Sequence, residues 1–309
     1  MYLMYYAGHS GKRELIGLAI SKDGKRWFKY PKNPILHTGG HNSWDEKQVS
    51  NPCVLFKNDK FHMWYQGKDR HGSCRIGYAT SKDGIEWEKH GYVSFEDRTR
   101  ENGSRKGRLS FQHPHVIITG KNLFHMWFTK TDSGVGKIYH AISHDGLKWR
   151  TDYRPVLNTD SEWEKSALYY PCVLYDRKGI FHMWYTGVNG KRWGIGYAKS
   201  QDGIHWLKSS CNPLLHKSEG YILTKIFNWE RGVSNASVLY INKVYYMWYQ
   251  NHLGKKLSIK LAISEDGIVW EKYKAPILTA GPKEWDSFFV ADPFVIRIDP
   301  NNFSYEEGE

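Results

Sequence analysis

Ser21-Lys22-Asp23-Gly24-Lys25-Arg26-Trp27 is the first of five copies of one phrase, Ser-x-Asp-Gly-x-x-Trp. The others run from Ser81 to Trp87, Ser143 to Trp149, Ser200 to Trp206 and Ser264 to Trp270. Their aspartates, Asp23, Asp83, Asp145, Asp202 and Asp266, lie 60, 62, 57 and 64 residues apart. A long period carried by strand-forming residues marks a propeller or solenoid. Within the phrase, Asp can bond turn N–H groups, Gly can take positive φ, and Trp can pack between repeats. These regular carboxylates therefore read as scaffold.

The second repeat shows the pattern outward from the phrase. Asn51-Pro52-Cys53-Val54-Leu55-Phe56 is a short apolar run, an inner strand. Lys57-Asn58-Asp59 is turn chemistry, and Lys60-Phe61-His62-Met63-Trp64-Tyr65 is a second strand. A polar loop leads to Arg75-Ile76-Gly77-Tyr78-Ala79-Thr80, the turn Ser81 to Gly84, and an outer strand near Trp87. Four antiparallel strands per repeat describe a propeller blade. The sequence thus predicts an all-β, five-bladed β-propeller in one domain over 1–309. Blade 1 comprises 1–36 plus 291–303, and blades 2 to 5 span 49–93, 112–157, 169–215 and 233–278. Met1 to Tyr6 matches a second strand with no inner strand before it. Ala291-Asp292-Pro293-Phe294-Val295-Ile296 matches Ser50 to Leu55, so the C-terminal strand is expected to complete blade 1 and close the ring.

Composition narrows the function classes. The chain has 309 residues, with 14 Trp and 21 Tyr, which suits both wide blades and a sugar-binding surface. Its formal charge of +12 is spread over many loops without a Lys/Arg run, so no nucleic-acid motif is visible. No apolar run approaches the roughly 20 residues of a membrane span. Met1 to Tyr6 has no basic n-region, and a cytoplasmic protein is expected. Cys53, Cys74, Cys172 and Cys211 form no Cys-x-x-Cys pair, so zinc and redox motifs are absent. Cys53 and Cys172 share one place in two repeats and read as buried thiols. No metal or organic cofactor is expected.

A second repeated phrase, Trp44-Asp45, Trp163-Glu164, Trp229-Glu230 and Trp285-Asp286, precedes the inner strands and reads as a structural anchor. The informative residues break the repeat. At the start of the inner strand the five blades carry Asp292, Asn51, His113, Tyr170 and Asn235. Five different polar or aromatic residues around one axis look like a funnel lining for a polar ligand. Around the rim the loops are basic. Arg75 and Arg231 belong there, and the loop into blade 3 adds Arg98, Arg100, Arg105, Lys106 and Arg108. Forked guanidinium groups suit carboxylate or phosphate, so an anionic sugar is the simplest ligand.

On the Met-Trp-Tyr strand, the Ile-Gly-Tyr-Ala strand, the Ser-x-Asp-Gly-x-x-Trp turn, the trailing Asn-Pro-x-Leu and Trp285-Asp286 ahead of Val290-Ala291-Asp292-Pro293, the whole chain resembles the five-bladed propeller glycoside hydrolases of families 32, 43, 68 and 130. The resemblance implies a catalytic carboxylate on the first inner strand, where Asp292 stands. It also implies an Asp and a Glu on the inner strands of blades 3 and 4. Those places read Gln112-His113-Pro114 and Tyr169-Tyr170-Pro171. Glycoside hydrolysis generally needs two carboxyl groups. The first reading is therefore a non-standard glycosidase or a phosphorolytic enzyme, with inorganic phosphate as a co-substrate. Asp292 would be base or acid, and Glu46, Glu101 or His113 the second proton-transfer group. Asn51, Tyr170, Asn235, Gln112, Arg75, Arg231, Arg105 and Arg108 would bind substrate. A non-catalytic carbohydrate-binding propeller is the second reading, and an enzyme of intracellular polysaccharide or activated-sugar metabolism the third.

Overall fold

Period-two alternation and β-branched and aromatic residues make each repeat a set of strands. The computed structural model describes residues 1–97, 110–120, 122–132, 134–216, 232–253, 256–282 and 284–303. Among them every element longer than a single 3-10 turn is a strand, so the all-β expectation holds. The first unit contains β1 (Tyr2–His9), β2 (Glu14–Ser21) and β3 (Phe28–Lys29). The second contains β4 (Gln48–Lys57), β5 (Lys60–Lys68), β6 (Cys74–Ser81) and β7 (Glu88–Tyr92). In the third, β8 (Ser94–Asp97) runs parallel to the outer strand of the group β9 (Phe111–Thr119), β10 (Leu123–Asp132), β11 (Val135–Ser143) and β12 (Lys148–Thr151). β13 (Pro155–Leu157) also pairs with β11. The fourth is β14 (Ala167–Tyr175), β15 (Phe181–Asn189), β16 (Arg192–Ser200) and β17 (Leu207–Lys208). The fifth is β18 (Gly232–Ile241), β19 (Val244–Leu253), β20 (Lys256–Ser264) and β21 (Glu271–Lys272). β22 (Phe289–Arg297) returns to the start and pairs antiparallel with β1, Leu3 opposite Ile296. The inner strands touch in the order β4, β9, β14, β18, β22 and β4 again.

The turn phrase proves to be both a local clasp and a joint between units. The Ser21 hydroxyl donates to Asp23 at 3.1 Å and accepts from the Gly24 N–H at 2.8 Å. Asp23 accepts from the N–H groups of Arg26 and Lys25, which hold its carboxyl below the usual range. The Gly carbonyl faces the neighbouring unit. Trp64 donates to Gly146 O at 2.8 Å, Trp127 to Gly203 O at 2.9 Å, and Trp184 to Gly267 O at 3.0 Å. Trp248 of the last unit donates to Gly24 O at 2.9 Å, and Tyr5, standing where the others have Trp, donates to Gly84 O at 3.2 Å. Each of these four buried indoles satisfies its N–H on the next unit's turn, which couples repetition in sequence to packing between units.

The Trp-Asp phrase is the anchor its repetition implies. Asp45 is buried and meets Lys89 at 2.7 Å and the Tyr65 hydroxyl at 3.4 Å. Asp286 repeats this with Lys29 at 2.6 Å and Tyr6 at 3.4 Å, and Glu164 pairs with Lys208. The preceding Trp lies over glycines of the two strands behind it: Trp44 over Gly67 and Gly77, Trp285 over Gly8 and Gly17. Unit 3 has no Trp-Asp phrase and carries Phe128 where the others have Tyr, and the Trp229-Glu230 copy lies outside the described residues. Cys53 and Cys172 are buried, each accepting a backbone N–H from the next inner strand, Val116 and Val238. Among the described residues no helix is long and apolar enough to cross a membrane.

Candidate active site

One backbone device builds the site. Asn51, His113, Tyr170, Asn235 and Asp292 all have left-handed backbone, with φ of 50°, 53°, 52°, 48° and 53°. At each, the register between the inner strand and its partner slips. A bulge of this kind bends the strand and re-aims a side chain. Asn, Asp and His tolerate positive φ, whereas for Tyr170 it is an outlier. The repeat therefore conserves the strained backbone while the side chains vary. The five residues converge on one small void of about 20 Å³. Above it opens a cavity of about 640 Å³, whose walls include Asn51, His113, Tyr170 and Asp292.

Asp292 is 7% exposed. Its Oδ1 accepts from Asn235 Nδ2 at 2.7 Å, and the Asn51 backbone adds a hydrogen bond. No ion pair reaches it among the described residues, and burial outweighs these bonds, raising its carboxyl to about 6. His113 is buried against Tyr170, ring centroids 3.9 Å apart. Burial pushes its imidazole down to about 3, so it is neutral at pH 7, and its Nδ1 lies buried with no hydrogen-bond partner in the protein.

The reading from sequence missed Glu14. It opens β2, partly buried, and shares the 640 Å³ cavity with Asp292. Gln48 Nε2 donates to Glu14 Oε2 and to Ser50 Oγ. Burial first, and the charge of Asp292 second, push the Glu14 carboxyl up to about 8, against the opposing pull of Lys68. The signal was available. Two residues before the repeated Ile, the units carry Glu14, Cys74, Gly136, Trp193 and Leu257. Glu14 is the lone carboxylate of that set, as Asp292 is of the inner-strand set two strands away.

The remaining candidates divide. Gln112 lines the cavity and donates to Ser110. Asn235 lines only the small void beneath, where it holds Asp292 and reaches Asn51 Oδ1 at 3.3 Å. Glu46 does not line the cavity. Its carboxylate accepts the Asn42 N–H at 2.8 Å, closing its own turn. Arg75 stacks on Tyr92, 4.3 Å from the ring centroid, with its Nε buried and unpartnered. Glu101, Arg105, Arg108 and Arg231 lie outside the described residues. The basic rim is nonetheless visible between units 1 and 2. An annex of about 360 Å³ adjoins the main cavity, sharing Glu14, Gln48 and Lys68 with it, and is lined further by Lys12, Arg13, Lys47 and Arg70. Among the described residues no three His, Cys, Asp or Glu side chains group to hold a metal ion.

A sequence model of the glycoside hydrolase 130 family, described as beta-1,4-mannooligosaccharide phosphorylase, matches residues 1–113 and 90–308. The chain belongs to this family. It is 30% identical over 211 residues to the uncharacterized protein Rv1502 of Mycobacterium tuberculosis, covering 63% of this chain and 66%, just under two thirds, of that protein. The 1,2-beta-oligomannan phosphorylase of a Thermoanaerobacter species is 27% identical over 136 residues, 40% of this chain and 43% of its own. Among solved structures, a thermostable family-43 glycoside hydrolase superposes with a TM-score of 0.63 at 22% identity, covering 90% of this chain and 91% of its own. Another, under the heading of family 130 glycoside hydrolases that target beta-1,2 mannosidic linkages in Candida mannan, gives 0.65 at 14%, covering 85% and 84%. These likenesses confirm a propeller of the glycoside hydrolase superfamily, as the motifs implied.

Proposed function

We propose that this protein cleaves a glycosidic bond in the central funnel of a single, closed, five-bladed propeller, with Asp292 as the base. The cyclic hydrogen bonds from Trp248 to Gly24 and from Tyr5 to Gly84, with β22 beside β1, support closure into five blades. The observation that carries the function is Asp292 itself: a carboxylate without a cationic partner among the described residues, on the floor of a polar cavity, in a family of carbohydrate-active enzymes. Titrating near 6, it is largely ionised at pH 7 and poised to take a proton. The substrate class is a mannoside bearing an anionic group, favoured by the family description and by Lys12, Arg13, Lys47, Lys68 and Arg70 beside the funnel. Phosphorolysis is the second reading, since those cations equally suit inorganic phosphate as attacking group. The cysteines, three buried and none disulfide-bonded, fit a cytoplasmic setting.

The test is a panel of β-1,2- and β-1,4-linked mannooligosaccharides, neutral, uronylated and phosphorylated, incubated with and without inorganic phosphate. Glycosyl phosphate among the products identifies phosphorolysis, and free sugar alone identifies hydrolysis. Asp292→Asn should lower turnover about 10²-fold or more. Retained turnover in that variant excludes Asp292 as the base. Tight binding across the panel with no product from the wild type makes the protein a binding module instead.

A further inference from the structure

The cavity holds a second carboxylate, Glu14, which like Asp292 is held by amides and forms no ion pair among the described residues. Glu14 and Asp292 face one space from different strands, β2 and β22. A continuous line of neutral groups joins them. Gln48 Nε2 donates to Glu14 and to Ser50 Oγ, and Asn51 Nδ2 donates to the same hydroxyl at 3.1 Å. Asn51 Oδ1 then accepts from Asn235 Nδ2, which also donates to Asp292 at 2.7 Å. Elsewhere in the protein, buried acids Asp45, Glu164 and Asp286 are each matched by a lysine. Glu14 has Lys68 nearby on β5 and its strand partner His9 on β1, and the described residues give it no ion pair with either. Gln48 and Ser50 fix its orientation, while the charged groups that share the annex with it, Lys12, Arg13, Lys47, Lys68, Asp69 and Arg70, act on it from a distance and form no ion pair with it among the described residues.

We propose that Glu14 is a catalytic residue of this funnel, the proton donor to the leaving oxygen, paired with Asp292 as base. The proposal rests on glycosidic cleavage in the cavity. The bond from the anomeric carbon to the leaving oxygen breaks as the O–H proton of Glu14 passes to that oxygen. A water oxygen bonds the anomeric carbon and its proton goes to Asp292. Glu14 is then ionised and Asp292 protonated, and exchange with bulk water through the open cavity restores both. If phosphate attacks instead, its oxygen forms the new bond and Glu14 donates as before. The environments support this division, since the two carboxyls are pushed up by different amounts, to about 8 and about 6. Such a pair titrates as a unit.

The substrate-free test is a carbon-13 NMR titration of the side-chain carboxyls in the whole protein, with Glu14→Gln used to assign the Glu14 signal. Glu14 should be mainly protonated at pH 7 in the wild type, and Asp292→Asn should lower its midpoint, because the repelling charge is gone. A Glu14 ionised at pH 7 overturns the assignment as donor. On any panel sugar that turns over, Glu14→Gln should lower kcat by about 10²–10⁴-fold with KM little changed. It should leave a dinitrophenyl glycoside, whose leaving group needs no proton, within a few-fold of the wild type. A structural role for Glu14 predicts equal losses on both substrates. Loss in Asp292→Asn with full activity in Glu14→Gln rejects Glu14 alone, full activity in both rejects the two carboxylates as the catalytic pair, and no product from the wild type on any panel sugar rejects the glycosidase reading itself.

Discussion

Replacing Asp292 by Asn should make the protein more stable at pH 8 and less stable at pH 4. The Asp292 carboxyl titrates at about 6 in the folded chain against an ordinary value of 3.8, and burial is the main cause. The folded state therefore binds more protons than the unfolded state between those pH values. Stability is highest below about 4, falls as pH rises through the window, and stays reduced above about 6. A difference of about two pH units corresponds to roughly 3 kcal/mol at about 1.4 kcal/mol per unit. Asn removes that charge. Its amide oxygen still accepts from Asn235, but one of the bonds to the carboxylate is lost, costing about 1 kcal/mol. The net expectation is a gain of about 2 kcal/mol at pH 8 and a loss of about 1 kcal/mol at pH 4. Urea unfolding of both proteins at the two pH values measures it, provided the slopes match. A variant that is destabilised equally at both pH values refutes the reasoning. It would mean that Asp292 contributes through geometry and that its buried charge carries no penalty.

Deleting residues 291–303 removes most of β22 and uncovers β1, so cooperative unfolding should vanish from the calorimetric scan; an unchanged melting temperature rejects the pairing as a structural necessity. In the anchor of unit 2, Tyr65→Phe should cost about 1 kcal/mol, because Phe128 already fills that place in unit 3. Lys89→Met leaves Asp45 buried and unpaired and should cost up to about 3–5 kcal/mol, less whatever solvent reaches the ammonium site; denaturant midpoints in the reverse order refute the anchor. Gly67→Ala places a methyl group on the Trp44 ring and should cost about 1–3 kcal/mol, read from the same midpoints.

The scaffold was legible because its chemistry is repeated. Ser-x-Asp-Gly-x-x-Trp needs one local geometry wherever it stands, and its hydrogen bonds recur at Asp23, Asp83, Asp145, Asp202 and Asp266. Comparing copies then exposed Asp292 and its four counterparts. What the comparison could not carry is the backbone beneath them. A positive φ at five aligned positions is invisible when only two are Asn and none is Gly, the residue that usually advertises it. That bulge turns all five side chains toward one void, and all of them except Asn235 also line the cavity above it.

Glu14 and Glu46 show the same limit from opposite sides. Glu46 follows a Trp-Asp anchor, and its place near the rim made it a candidate, yet its carboxylate closes the Asn42 turn. Glu14 is the first residue of β2, just after a short polar loop, and what it faces is not written in its own segment of sequence. Its distinction comes from three residues remote in the chain: Gln48 on β4, Lys68 on β5 and Asp292 on β22. Closing the first unit with a strand from the far end of the chain puts Asp292 and Glu14 in that one unit, two strands apart. The feature that completes the fold is thus also what brings two carboxylates into one cavity, and removing β22 should abolish the site together with the structure.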